Sequence, residues 1–195
     1  MNLFFVSLGC DKNLVDSEKM IALLVSQNIS VTSTPEDAEI IIVNTCGFIH
    51  DAKEESIETI LEMAEYKKTG TCKILIVTGC MAQRYKEEIT KEIPEVDAVL
   101  GTTSYGDIVK ALNEAEAGHV FQEFKDINAL PEDSGRRVIT TGGHFGYLKI
   151  AEGCDKHCTY CIIPSLRGKF RSVPEERLLK QAEYMASQGV RELIL

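Results

Sequence analysis

Runs of strand-length apolar residues, each followed by a stretch of helical periodicity, restrict this chain's fold more than any other feature of its sequence. Leu3–Ser7 (LFFVS) precedes an amphipathic stretch from about Asn13 to Gln27, where Leu14, Val15, Met20, Ile21 and Leu24 recur at helical spacing. Ile40–Asn44 (IIIVN) precedes a helix pattern from about Asp51 to Lys68, with Ile57, Ile60, Leu61 and Ala64 on one face. Lys73–Thr78 (KILIVT) is followed by Gln83–Glu92, and Val96–Leu100 by Tyr105–Ala117. Runs such as IIIVN and ILIV lack polar alternation, as strands covered on both faces do. The alternation predicts an α/β fold, doubly wound around a mainly parallel sheet. It carries no sequence repeat, and no GxGxxG offers a dinucleotide fingerprint.

The pattern weakens between Gly118 and Gly146, where LPEDSGRR and TTGGH read as linker. The expected division is an amino-terminal domain over 1–130, a linker over 131–146, and the opening of a second domain over 147–195. Tyr147–Ala151 (YLKIA) would be its first strand and Pro174–Ser187 a helix, with Pro174 suited to the first turn and Gly189 to the end. The final VRELIL reads as a strand with no turn behind it. A closed (β/α) barrel takes on the order of 200 residues or more, so the expectation is a piece of a longer enzyme.

Seven cysteines carry the chemical signal. Cys154, Cys158 and Cys161 stand in GCDKHCTYC, a C-x-x-x-C-x-x-C spacing that puts three thiolates on one short loop. A cubane cluster has four irons, so three cysteines leave one iron open to another ligand. An open iron suits a cluster that binds and activates a substrate, and S-adenosylmethionine is the usual candidate for radical chemistry. Structural zinc is the rival reading, with His157 as fourth ligand. Against it, His157 adjoins Cys158, and zinc sites usually pair a C-x-x-C with a second, distant pair.

Cys10, Cys46 and Cys80 each follow a predicted strand, in SLGC, NTCG and TGC. Parallel strands present their carboxyl ends on one edge, where ligands bind, so these three should share a rim. Each neighbours a glycine (Gly9, Gly47, Gly79) that allows a tight turn or a close approach. A second three-cysteine cluster is the favoured reading, and three unrelated buried thiols the alternative. Cys72 precedes its strand and falls on the opposite edge, as a plain thiol.

The chain of 195 residues has a formal net charge of −9, which gives no support for a broad nucleic-acid surface. No apolar stretch approaches the ~20 residues of a membrane span, and MNLFFVSLGC lacks the basic segment of a signal peptide. A cytoplasmic setting is expected, where cysteines serve metal or redox chemistry before disulfides.

Taken together, SLGCDKNLVDSE, NTCGFIHDAKEESIETI, TGCMAQRY and GCDKHCTYCIIPSLRGKFRS resemble the methylthiotransferase family of radical S-adenosylmethionine enzymes. The resemblance runs over essentially the whole chain. It implies two 4Fe–4S clusters, an auxiliary one on Cys10, Cys46 and Cys80 and a radical one on Cys154, Cys158 and Cys161. The second domain would be the start of a radical S-adenosylmethionine barrel. The family's small carboxy-terminal β domain, called TRAM, has no counterpart here. One electron, from a reductase or flavodoxin-type donor, would cleave S-adenosylmethionine to a radical that takes hydrogen from the substrate. The auxiliary cluster would present or supply sulfur, and a second S-adenosylmethionine the methyl group. The motif details resemble the branch that modifies the β-carbon of an aspartate in small-subunit ribosomal protein twelve. The transfer-RNA branch, acting on a modified adenosine, is the alternative, and a non-catalytic iron–sulfur or zinc module the different-class rival. Asp11 departs from the proline more usual in the first branch. Tyr160 falls where an aromatic residue lies near the cofactor's adenine, and a plain loop aromatic is its other reading. Arg167, Lys169 and Arg171 could contact substrate or form a solvated loop. Asn13, Asp16, Ser17 and Glu18 could cap and charge the first helix. His50, His119 and His144 receive no role.

Overall fold

A computed structural model describes residues 1–131 and 135–195; residues 132–134 of the expected linker lie outside the described residues. The apolar runs form the strands β1 (Asn2–Ser7), β3 (Ile40–Thr45), β4 (Ile74–Gly79) and β5 (Ala98–Leu100), joined by a short β2 (Ser30–Val31) and by β6 (Phe121–Glu123). All pairings are parallel, in the order β2-β1-β3-β4-β5-β6. The sixth strand falls in the region where sequence periodicity fades, because it is three residues long and half-buried.

Helices α1 (Asp11–Val25) and α5 (Ile108–Glu116) cover one face, and α2 (His50–Thr69), α3 (Cys80–Tyr85) and α4 (Glu87–Glu92) the other. Alternate strand residues serve the two layers. Ile41, Val43, Leu75, Val77 and Val99 face Ile60, Met63 and Ala64, while Ile40, Ile42, Ile74, Ile76 and Leu100 face Met20, Leu24 and Ile108. Burial on both faces explains why these strands read as unbroken apolar runs.

The single helix expected over Gln83–Glu92 is two, α3 and α4, broken at Lys86 with φ 42°. α3 starts directly at the end of β4, which forces Gly79 to φ 96°. A Cβ there would lie 2.3 Å from Asn44 Oδ1 and 2.5 Å from the Thr45 carbonyl oxygen. Gly79→Ala is therefore expected to cost on the order of 3 kcal/mol, read as a lowered urea midpoint with an unchanged slope.

Beyond the sheet, the expected strand Tyr147–Ala151 is two pieces. β7 (Phe145–Tyr147) pairs in parallel with β10 (Glu192–Ile194), and β8 (Ala151–Glu152) pairs antiparallel with β9 (Arg171–Ser172). Between β8 and β9 come the second cysteine loop and a short α6 (Ile163–Arg167). Met185 of α7 (Glu175–Ser187) lies over Gly146 of β7 and packs with Leu148 and Val190, which follow β7 and α7.

Candidate functional site

The strand order reverses beside β1, since the chain visits β2 on one side before β3 on the other. The crevice outside the carboxyl ends of strands at such a reversal is where open α/β sheets bind ligands. Cys10 directly precedes α1, Cys46 follows β3, and Cys80 opens α3. All three line one cavity of about 540 Å³, together with Asn13, Ile163 and Arg167. Cys10 is exposed at this rim, whereas Cys46 and Cys80 are buried. At Gly9, φ is 88°, and a Cβ would lie 2.8 Å from Cys46 Cβ, so the thiol of Cys46 rests on bare backbone. Ser56 of α2 fixes Cys46 twice, accepting from its N–H at 3.0 Å and donating to its carbonyl at 2.9 Å.

Asn13 ties the rim together. Its amide donates to the carbonyls of Leu8 (3.0 Å) and Thr45 (2.9 Å), and its Oδ1 accepts from the Cys80 thiol at 3.8 Å and from Arg167. Arg167, from α6, thus meets Cys80 through Asn13 Oδ1, which accepts from both. Burial pushes the Cys80 thiol up, and the Arg167 guanidinium offsets only part of that.

Arg167 belongs to a buried quartet with Asp16 of α1, Lys149 and Glu152. It donates to Asp16 Oδ2 at 2.9 Å and to Glu152 at 3.3 Å, and Lys149 contacts both carboxylates. Burial pushes Glu152 up, but Lys149 and Arg167 outweigh it and hold the carboxyl down at about 2. For Lys149 burial acts downward, and Asp16 and Glu152 carry it above the ordinary lysine value. Glu18 docks a further segment, accepting from Thr140 N–H and Oγ1 at 2.8 and 2.9 Å and facing Arg137 Nε at 3.4 Å. The N-cap position of α1 is Cys10, whose side chain makes no capping bond, and Asp16 and Glu18 lie beyond the first turn. They fasten residues 137–167 to the sheet domain instead. Nor does Arg167 belong to a solvated loop, being 5% exposed.

The second trio occupies the loop after Gly153, whose φ is 73°. A Cβ on Gly153 would meet the Lys169 carbonyl oxygen at 2.1 Å, so the loop lies directly on that backbone. Cys154 N–H donates to the Gly168 carbonyl at 3.0 Å, and Cys161 N–H to that of Cys158 at 3.0 Å. Cys154 and Cys161 are half-buried, Cys158 is exposed, and Tyr160 stands 89% exposed beside them. His157 lines a separate hollow with Cys154, Asp155 and Lys169.

Among the described residues, the only three-donor group within 4.8 Å is His50, Asp51 and Glu54, all exposed at the start of α2. Neither cysteine trio is drawn that close. One tetrahedral zinc with Zn–S bonds of about 2.3 Å would hold its sulfurs nearer together than that. A cubane, whose corners are separate irons, accepts a wider set of three thiols. Three thiols at each site are the donor set that an iron–sulfur cluster takes, and Cys10, Cys46 and Cys80 share one cavity. Cys72 is buried at the other edge of the sheet, its thiol donating to the Ile74 carbonyl at 3.4 Å.

Sequence reasoning missed Lys149 and Glu152 as parts of the site, and it marked Asn13 as a capping residue and Arg167 as a substrate contact or solvated loop, not as partners of the cysteine rim. Lys149 and Glu152 left one available signal, two charges of opposite sign in the otherwise apolar YLKIAEG. For Arg167 the basic run RGKFR marked the residue but not its partners, which are distant in sequence.

Residues 2–101 match the family described as "Uncharacterized protein family UPF0004", and residues 148–195 the radical SAM superfamily. The chain is 61% identical over all 195 residues to "Ribosomal protein uS12 methylthiotransferase RimO" of Lachnoclostridium phytofermentans, covering 44% of that protein. It is 51% identical over 189 residues to the protein of that name from Clostridioides difficile (97% of this chain, 43% of that one). For Acetivibrio thermocellus the identity is 50% over 197 residues, with the same shares. The chain thus spans less than half the length of these relatives. Among the described residues, no helix is long and apolar enough to cross a membrane.

Proposed function

The chain belongs to the radical SAM methylthiotransferase family, its amino-terminal part to UPF0004, and on that premise we propose that the whole protein adds a methylthio group to the β-carbon of an aspartate in ribosomal protein uS12. In this reading Cys10, Cys46 and Cys80 hold an auxiliary 4Fe–4S cluster, and Cys154, Cys158 and Cys161 the cluster that binds S-adenosylmethionine. The observation that carries it is the pairing of two three-thiol sites through α6, which begins two residues after Cys161 and ends at Arg167 in the wall of the other site.

When bound, the two groups and S-adenosylmethionine supply the one-electron chemistry that activates an unreactive carbon, and the sulfur and methyl group to be placed there. The chain's own residues bind and shield. Cys46 and Cys80 anchor the auxiliary site from below, and Cys10 leaves its open side toward solvent. Phe48 and Ile49, exposed although they line the cavity, form an apolar lip against which a substrate side chain can exclude water. Tyr160 offers a free aromatic face to the adenine of S-adenosylmethionine. A reductase or flavodoxin-type protein delivers the electron, in the cytoplasm. The net charge of −9 favours a basic ribosomal protein over transfer RNA as partner.

Mass spectrometry of uS12 and transfer RNA from a deletion strain checks this. Loss of the methylthio increment from one uS12 aspartate, restored by the full-length protein, is expected. Loss from a transfer-RNA adenosine instead would replace the proposal with the RNA reading.

A further inference from the structure

We propose that Arg167 is a positioning residue of the Cys10–Cys46–Cys80 rim: its guanidinium fixes Asn13 and Cys80 and raises the electron affinity of a cluster held there. The inference rests on the reading above, that this rim carries a cluster.

Two faces of the guanidinium have different partners. Nη1 meets the Asp16 and Glu152 carboxylates, while Nη2 donates to Asn13 Oδ1, which also accepts from Cys80. The quartet has two carboxylates and two cations, yet of its four members Arg167 alone lines the cavity with the three thiols. Each of the four is at most 8% exposed, so water screens this arrangement weakly. The other cation lining the cavity, Lys12, is exposed and bonds to the Ala151 carbonyl at 3.0 Å. Arginine keeps its charge at every working pH. Net charge and hydrogen bonds to sulfur are what set a cluster's potential within one ligand type, and an added electron is favoured by a nearby buried cation. Because Arg167 ends the helix that starts beside Cys161, the loop of the second trio positions this charge.

The test uses the full-length protein carrying Cys154→Ala, Cys158→Ala and Cys161→Ala, so that only the rim can hold a cluster. Its one-electron reduction is followed by electron paramagnetic resonance during a titration with dithionite. Arg167→Gln is expected to lower the reduction equilibrium constant at least tenfold, about 59 mV for a one-electron couple. Arg167→Lys should recover most of the loss. Asp16→Asn, which removes a carboxylate from behind the guanidinium, should shift the potential the opposite way. Should Arg167→Gln lose its iron, the last two variants decide. Equal potentials in all iron-loaded variants would overturn the proposal, as would Asp16→Asn moving the same way as Arg167→Gln, the mark of simple loosening. A parent with no iron at the rim would reject the cluster reading and this inference with it.

Discussion

Replacing Cys10, Cys46 and Cys80 together by alanine should halve the iron and acid-labile sulfide of the anaerobically reconstituted full-length protein, from about eight irons to about four. The same loss is expected from Cys154→Ala, Cys158→Ala and Cys161→Ala, and the six-fold variant should bind none. The two losses are independent because the trios are built differently: one from the ends of three strands, the other from a single loop. Alanine removes only a sulfur from the two buried positions, Cys46 and Cys80, so a cost of about 1 kcal/mol each leaves the fold intact for circular dichroism to verify. Four irons in the parent, unaffected by loss of the first trio, would remove the auxiliary cluster and the methylthiolation argument.

The second large effect is on stability. Lys149→Met should destabilise the protein by on the order of 3 kcal/mol in urea unfolding, because Asp16 and Glu152 are left with Arg167 alone in a buried site. Lys149→Met/Glu152→Leu should cost less than Lys149→Met, since the surviving ion pair is balanced and the replacements are apolar. Acid tests the same quartet. The Glu152 pKa is depressed from 4.5 to about 2 on folding, so its contribution is complete above pH 4.5 and lost as pH falls toward 2. The raised pKa of Lys149 works in the other direction, its contribution fading only above the ordinary lysine range. Urea midpoints of the parent should therefore fall between pH 4.5 and 2, and those of Lys149→Met/Glu152→Leu should fall less. Parallel curves for the two proteins would show that the quartet does not govern acid sensitivity.

What the sequence made legible follows the range of each interaction. The central strands were plain because burial on both faces leaves runs such as Ile40–Val43, each residue fully buried. The convergence of Cys10, Cys46 and Cys80 could be reasoned from parallel strand ends alone. The break at Lys86 was hidden, because a positive φ at a lysine leaves no mark in local composition. β6 was hidden because three half-buried residues show no period. Asp16 and Glu18 were misread as helix-end charges since their partners, Arg167, Lys149 and Thr140, lie more than a hundred residues on. A buried ion pair between distant residues looks, in sequence, like two surface charges.

The strand order also dictates a timetable. Cys154, Cys158 and Cys161 are neighbours in the chain and can gather as soon as their loop leaves the ribosome. Cys10, Cys46 and Cys80 meet only after β1, β3 and β4 have paired, and their wall is finished only when Arg167 arrives. Closing so long a loop costs entropy that the sheet must recover first. The rim is therefore complete only once the sheet is in register and the following segment has docked.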